Sequence, residues 1–235
     1  MERKIDKRKH YAIIIDTETA NTMRTSAGQL DTSSALPYDV GYRVVDIPHF
    51  NVYEERSFVV RDVFVDMRDV MKTAYYADKI PRYVDDLRAG LRTMASALDV
   101  YYQFRKDVRD YNITTVIAHN ARFDYNVLNT FIRYITKSEK RYFMPCGVEI
   151  WDSMKMARDV IHKMPTYRKF CEQNNFFTAS GKLPTTAEVL YRFISKDPTF
   201  KESHTGLEDV QIEAEIAKYC FRQHKKMRKK LFEKV

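Results

Sequence analysis

Asp16 and Glu18 are the first residues in the chain whose types and spacing suggest chemistry. They stand two apart where the apolar, β-branched run at 11–15 breaks into Asp16-Thr17-Glu18-Thr19. On a strand, residues i and i+2 project from one face, so both carboxylates would meet there. Held together, two like charges repel and push a pKa upward unless a cation sits between them. Carboxylate-only ligands suit a hard, oxygen-seeking ion such as Mg²⁺ or Mn²⁺. A strand end turning into solvent would present the same residues, since acidic side chains are mostly at the surface. No other Asp-x-Glu occurs in the chain. A second carboxylate follows an apolar run at 114–118, in Asn120-Ala121-Arg122-Phe123-Asp124. Taken alone, Asp124 is equally explained as an acid offsetting a helix dipole. The third segment, His204-Thr205-Gly206-Leu207-Glu208-Asp209, opens the last helix. An imidazole of ordinary pKa ~6.5 beside a carboxylate-bound metal can take a proton from water near neutral pH. A capped helix start with an exposed histidine explains that segment too.

These residues need elements to position them. The apolar, β-branched run at 11–15 predicts a buried strand, and 38–47 and 52–65 read as two more, with Pro48, His49 and Asn51 turning between them, hence a three-strand meander. Residues 20–37, rich in Thr, Ser, Asn and Gly, read as a loop. From 70 to 103 the pattern is helical, with a start at Pro81 and a longer helix over 91–108. A fourth strand at 114–118 leads into a helix capped by Asn120, whose Phe123, Val127, Phe131 and Ile135 repeat at helical spacing, so that Phe123 reads as core. A fifth strand at 148–151 runs into Asp152, the cap of a helix through 161. Two helices close the chain, over 185–194 and from Gly206 into the basic tail, the latter with Leu207, Val210, Ala214, Ala217 and Phe221 as its apolar stripe. The order predicts an α/β fold, a mixed sheet of about five strands flanked by helices.

Composition bounds the rest. With 235 residues, 44% of them hydrophobic, the chain suits one core-bearing domain. Gly 6 and Pro 7 exclude collagen-like and low-complexity chains. No apolar run approaches the ~18 residues of a membrane span, and the charged N-terminus lacks a secretory h-region, which predicts a cytoplasmic protein. Cys146, Cys171 and Cys220 lie far apart with no CxxC pair and read as reduced packing residues. Of 40 basic and 32 acidic side chains, residues 1–10 hold five and two, and residues 222–235 hold seven and one, leaving 28 and 29 for residues 11–221. The predicted organisation is a basic arm (1–10), a near-neutral domain (11–221) and a basic tail (222–235). Basic ends beside a neutral body suit a polyanionic partner, and they also suit two solvated termini.

In order and context, Asp16 and Glu18 at the first strand's end, Asn120-x3-Asp124 at a strand-to-helix junction and His204-x4-Asp209 opening the last helix resemble the three motifs of the DnaQ-like 3′→5′ exonucleases, in the DEDDh branch. The resemblance spans about residues 11–221; the basic arms and the long 20–37 loop depart from compact members. It implies an RNase H-like fold, with Asp16, Glu18, Asp124 and Asp209 holding two Mg²⁺ or Mn²⁺ ions and His204 as general base. It implies release of nucleoside 5′-monophosphates from a 3′ end, with DNA favoured over RNA as substrate. The alternatives are an RNA-trimming enzyme, or a nucleic-acid-binding or polymerase-tethering module without catalysis. A replication or repair polymerase is an expected partner, since no polymerase domain is read in the chain. Thr17, Thr19, Asn120 and Phe123 are secondary candidates for substrate contact, and Lys225, Lys226 and Arg228 for phosphates beyond the site. His119 and Tyr125, which flank the second motif, are explained equally by phosphate contact and by packing.

Overall fold

A computed structural model describes residues 5–6, 8–24 and 30–232. In chain order the elements are β1 (His10–Ala20), β2 (Met23–Arg24), β3 (Leu30–Asp31), β4 (Leu36–Ile47), β5 (Val52–Val60), α1 (Arg61–Phe64), α2 (Arg68–Met71) and a 3-10 turn (Ala77–Lys79). They continue with α3 (Ile80–Arg88), β6 (Thr93–Ala95), α4 (Ala97–Asp110), β7 (Thr115–Ala118), α5 (Arg122–Ile135) and β8 (Glu149–Asp152). Four helices follow: α6 (Ser153–Asp159), α7 (Pro165–Asn174), α8 (Ala187–Ser195) and α9 (Gly206–Arg222). Six strands form one mixed sheet in the order β6-β5-β4-β1-β7-β8. The meander β1-β4-β5 is antiparallel as expected, and β7, β8 and β6 add in parallel. Among the described residues no helix is long and apolar enough to cross a membrane.

The period of two along β1 sorts its side chains between two layers. Ile13 and Ile15 pack with Phe104, Leu128 and Phe131 of α4 and α5. Ala12 and Ile14 pack on the other face with Met156, Leu190, Val210 and Ala217 of α6, α8 and α9. Asp16 and Glu18 continue the second set, so β1 delivers both carboxylates to the layer that contains α9.

Several boundaries differ from the sequence reading. The sheet has six main strands rather than five, because β6 is only three residues long and was read into the following helix. That helix starts at Ala97, not near Leu91, since Ser96 and Asp99 form a reciprocal capping box. The strand expected to reach Val65 ends at Val60, where α1 begins. The 20–37 segment contains the pair β2–β3, and residues 25–29 of it lie outside the described residues. Helix α7 was not foreseen. Cys171 and Cys220 are buried packing residues, but Cys146 is exposed.

The basic tail departs most. Helix α9 ends at Arg222, and the chain folds back along the β8 edge instead of continuing as helix. There Leu231 N–H donates to Ile150 O (2.8 Å), Asp152 N–H donates to Lys229 O (2.7 Å), and Trp151 and Lys230 form an antiparallel bridge. Arg228 grips Asp159 through Nε and Nη2 (2.9 and 3.1 Å), Lys229 lies over the Trp151 and Phe221 rings, and Leu231 joins the core. Ending the chain at Phe221 therefore does not spare the core. Truncation there should destabilise the protein by about 3 kcal/mol, the scale of removing one buried leucine, and Leu231→Ala should reproduce most of that loss in urea unfolding. An unchanged unfolding midpoint in both variants would show that the tail is not part of the core. Of the N-terminal arm, Lys9 pairs with Asp46 (3.1 Å) and Arg8 with Asp6 (3.0 Å); residues 1–4 and 7 lie outside the described residues.

Candidate active site

All five residues singled out for chemistry line one cavity of about 380 Å³ at the ends of β1 and β7. Thr17, Thr19, Asn120 and Phe123 line it too, whereas Lys225, Lys226 and Arg228 do not. A larger concavity of about 690 Å³ lies beside the start of β8, with Tyr142 and Phe232 in its wall, and holds none of these residues.

Thr17 points to the face opposite Asp16, where its hydroxyl donates to Asp124 Oδ1 (2.8 Å). One bond thus ties the first strand to the start of α5, and commits the proton of the Thr17 hydroxyl to a carboxylate. The Thr19 hydroxyl is bonded to that of Thr22 (2.7 Å). Asp209 enters from α9, accepting from Thr205 N–H (3.1 Å) and from the Ser203 hydroxyl (3.3 Å). Helix α9 can come this close because two glycines meet. A Cβ on Gly41 would lie 2.3 Å from Leu207 N, and one on Gly206 would lie 2.9 Å from Gly41 N. A buried ionic cluster fixes the contact. Asp39, the register partner of Glu18, accepts from Gly206 N–H (2.8 Å) and from the Tyr83 hydroxyl (2.6 Å) and pairs with Arg92. Arg92 in turn forks onto Glu208 (2.8 and 3.1 Å).

Two corrections concern the second motif. Asn120 does not cap α5: the N-cap position is Ala121, with no side-chain bond, and Asn120 instead occupies the left-handed region (φ 60°), which Asn tolerates better than most residues. Phe123 is not core. It is half-buried on the cavity wall, while Val127, Leu128 and Phe131 carry the apolar face. Asp152 is a cap as read, its Oδ1 accepting from Met154 and Lys155 N–H (2.9 and 3.4 Å), and it also receives Asn120 N–H (3.2 Å). Both His119 ring nitrogens are occupied. Nε2–H must donate to Thr185 O (2.8 Å), so Nδ1 accepts from the Ser153 hydroxyl (2.9 Å), leaving nothing for a phosphate. Tyr125 turns away from the cavity and packs edge-on against Phe232.

Glu202, Glu213, Tyr75 and Tyr76 line the cavity and were not read from the sequence. Glu213 lies one helical turn beyond Asp209 on α9, a spacing that signals a shared face; its Oε2 accepts from His119 N–H (3.1 Å).

The electrostatics follow from this crowding. Burial, then the charges of Glu213 and Asp124, lift the Asp16 carboxyl well above the usual carboxylate range. Burial and Asp209 do the same to Glu18. Asp124 is pushed up to about 7 chiefly by burial, against the Thr17 hydrogen bond, and Asp209 to about 8 by burial and Glu202. Burial and Asp124 raise Glu213, and burial and Glu188 bring Glu202 to about 7. Burial lowers the imidazole of His204 below its ordinary value. Among the described residues no Lys or Arg lines the cavity. A dense set of buried carboxylate oxygens without a protein cation is the donor set a hard divalent ion satisfies. Ligand atoms of Glu18, Asp209 and His204 lie within 4.8 Å of one another, and so do those of Glu188, Glu202 and His204.

No protein-family model matches the chain, and no curated protein matches it in sequence. Its fold does match solved structures. The nuclease domain of 3′hExo, a DEDDh family member bound to rAMP, superposes with a TM-score of 0.54 at 13% identity, covering 98% of this chain and 100% of that one. A 3′-exonuclease that recognises the histone mRNA stem-loop gives 0.55 at 11% identity, over 97% and 69%. Exonuclease I of E. coli, in complex with a dA16 oligonucleotide, gives 0.52 at 16% identity, over 89% of this chain and 40% of that one, so the chain spans less than half of that enzyme. A form of the same enzyme with single-stranded DNA contains zinc. The mixed sheet with helices on both faces is the fold of the DEDDh 3′-exonucleases.

Proposed function

We propose that the chain is a metal-dependent 3′→5′ exonuclease that removes nucleoside 5′-monophosphates from the 3′ end of DNA. The observation that carries this reading is the convergence of Asp16, Glu18, Asp124 and Asp209, from β1, α5 and α9, in one cavity that no Lys or Arg lines among the described residues. These four would hold two divalent ions, Mg²⁺ or Mn²⁺. When bound, such ions polarise the attacking water and neutralise charge building on the phosphoryl oxygens. His204, at the rim beside Glu18 and Asp209, accepts the proton of that water as its oxygen bonds to phosphorus and the bond to the 3′ oxygen breaks. Burial keeps the imidazole neutral and able to accept at physiological pH. Phe123 offers a ring at the cavity wall on which a base can stack. Asn120 stays a candidate contact, and Lys225 and Lys226, exposed beyond the cavity, are the tail cations proposed to meet phosphates. A replication or repair polymerase is the proposed protein partner.

The direct test is digestion of 3′- and 5′-labelled single-stranded DNA and RNA with Mg²⁺ or Mn²⁺. Mononucleotide release from the 3′ end of DNA is the expected result; faster release from RNA would make the chain an exoribonuclease, and no release from either would refute the reading. His204→Ala should lower the rate by at least ~100-fold. In the wild type, log rate should rise with unit slope below the depressed His204 pKa and flatten by neutral pH. Loss of that limb in the alanine variant is expected; an unaltered profile and rate would remove His204 from the base role.

A further inference from the structure

His204 is badly placed to hold its own ring still. It lies in the loop between α8 and α9, in the left-handed backbone region (φ 54°) that a side-chain-bearing residue seldom adopts. A base must nevertheless present one nitrogen within hydrogen-bond reach of a water held against the carboxylates. The ring is not loose, because Tyr76 lies flat against it: the centroids are 4.1 Å apart and the planes differ by 7°. Tyr76 is itself tied to the strand that carries Asp16 and Glu18. Its neighbour Tyr75 donates N–H to Thr19 O (3.1 Å), and Asn21 N–H donates to Thr73 Oγ1 (2.8 Å). Tyr75 also packs edge-on against Tyr76 (5.0 Å, 83°), bracing the ring. The end of β1 therefore sets two things at once, the position of the carboxylates and the plane of the imidazole.

We propose that Tyr76 is a positioning residue for His204, stacking on the imidazole so that its nitrogen faces the Glu18–Asp209 side of the cavity. The proposal rests on the exonuclease reading, and the role belongs to the ring rather than to the hydroxyl. Tyr76→Phe should keep kcat within about threefold of wild type, whereas Tyr76→Leu should lower kcat about tenfold, the rate equivalent of one lost aromatic pair, with KM for an oligonucleotide changed less than about threefold. In a His204→Ala background, Tyr76→Leu should cost nothing further, because the group it orients is gone.

A readout independent of turnover is the His204 ring proton resonance in protein labelled at its histidines, assigned by its disappearance in His204→Gln. It should be displaced by the stacked ring in wild type and Tyr76→Phe, and released in Tyr76→Leu, with circular dichroism confirming that each variant is folded. Equal losses from Tyr76→Leu in both backgrounds, a change confined to KM, or a resonance indifferent to Tyr76→Leu would overturn the proposal and leave Tyr76 as a substrate wall or a packing residue. Absence of nuclease activity in the wild type would instead overturn the exonuclease reading and this proposal with it.

Discussion

Asp16→Asn is expected to lower exonuclease activity by more than ~100-fold while the variant folds, and melts in EDTA at or above the wild-type temperature. The loss follows from the ligand chemistry. An amide is nearly isosteric with the carboxylate but is a poor partner for a hard divalent ion, and Asp16 stands where the carboxylates of β1, α5 and α9 converge. The gain in metal-free stability follows from the electrostatics. The Asp16 carboxyl is pushed far above its ordinary value by burial and by the charges of Glu213, Asp124, Glu18 and Asp209. The amide is neutral without a bound proton, so the folded variant no longer bears the cost of suppressing that ionisation. A substitution that destroys function and stabilises the fold marks a site arranged for a ligand, whereas a packing residue would lose both. Retention of the wild-type rate in a folded Asp16→Asn variant would end the assignment of Asp16 as a metal ligand, and melting well below wild type in EDTA would show that its charge is compensated within the protein.

The parts of this site that were legible from the chain are those encoded by local periodicity. Alternation along β1 placed Asp16 and Glu18 on one face, and the apolar run through β7 put Asp124 just past a strand end. The first follows from the two-residue period of side chains along a strand, the second from an uninterrupted apolar run that ends at the motif. Element ends were less legible, because a three-residue strand such as β6 carries too little pattern to stand out against the Ser96–Asp99 capping box that follows it. Phe123 misled because it fits the helical apolar stripe, yet the apolar face that α5 buries is carried by Val127, Leu128, Phe131 and Ile132, while Phe123 lies half-buried on the cavity wall. The tail misled because its charge reads as a helical extension facing phosphates or solvent, whereas Arg228, Lys229 and Lys230 each found a partner on α6, α9 or β8. Glu202 and Tyr76 reach the cavity from loops brought together only by tertiary packing, so no spacing in the sequence announces them. The third motif is legible as residue types but not as mechanism. What places Asp209 is the contact of Gly206 with Gly41, together with the Asp39–Arg92–Glu208 cluster, and these residues are far apart in the chain.

The metal-free protein should lose stability as pH rises through neutrality, and divalent ions should reverse that loss. Unfolded, Asp124 and Asp209 titrate near their ordinary 3.8; folded, they titrate near about 7 and about 8. Between those limits the native state holds protons that the unfolded chain has released, so stability falls with increasing pH from about 4 and levels off above about 8. This is opposite in sign to the behaviour of an acid held in a salt bridge. Glu202, raised to about 7, adds to the same window. The melting temperature in EDTA should therefore drop between pH 5 and pH 8 by on the order of 10 °C, equivalent to a few kcal/mol in a protein of this size. Mg²⁺ or Mn²⁺ binds only the deprotonated carboxylates, so the stabilisation it supplies, which grows with the logarithm of its concentration over Kd, should be small at pH 5 and large at pH 8. Asp209→Asn should flatten both the pH dependence and the response to metal, because it removes the strongest repulsion on Glu18 along with a ligand. A melting temperature that is level from pH 5 to pH 8 without metal would mean that the buried carboxylates are compensated inside the protein, and an equal response to Mg²⁺ at both pH values would mean that the ion binds elsewhere.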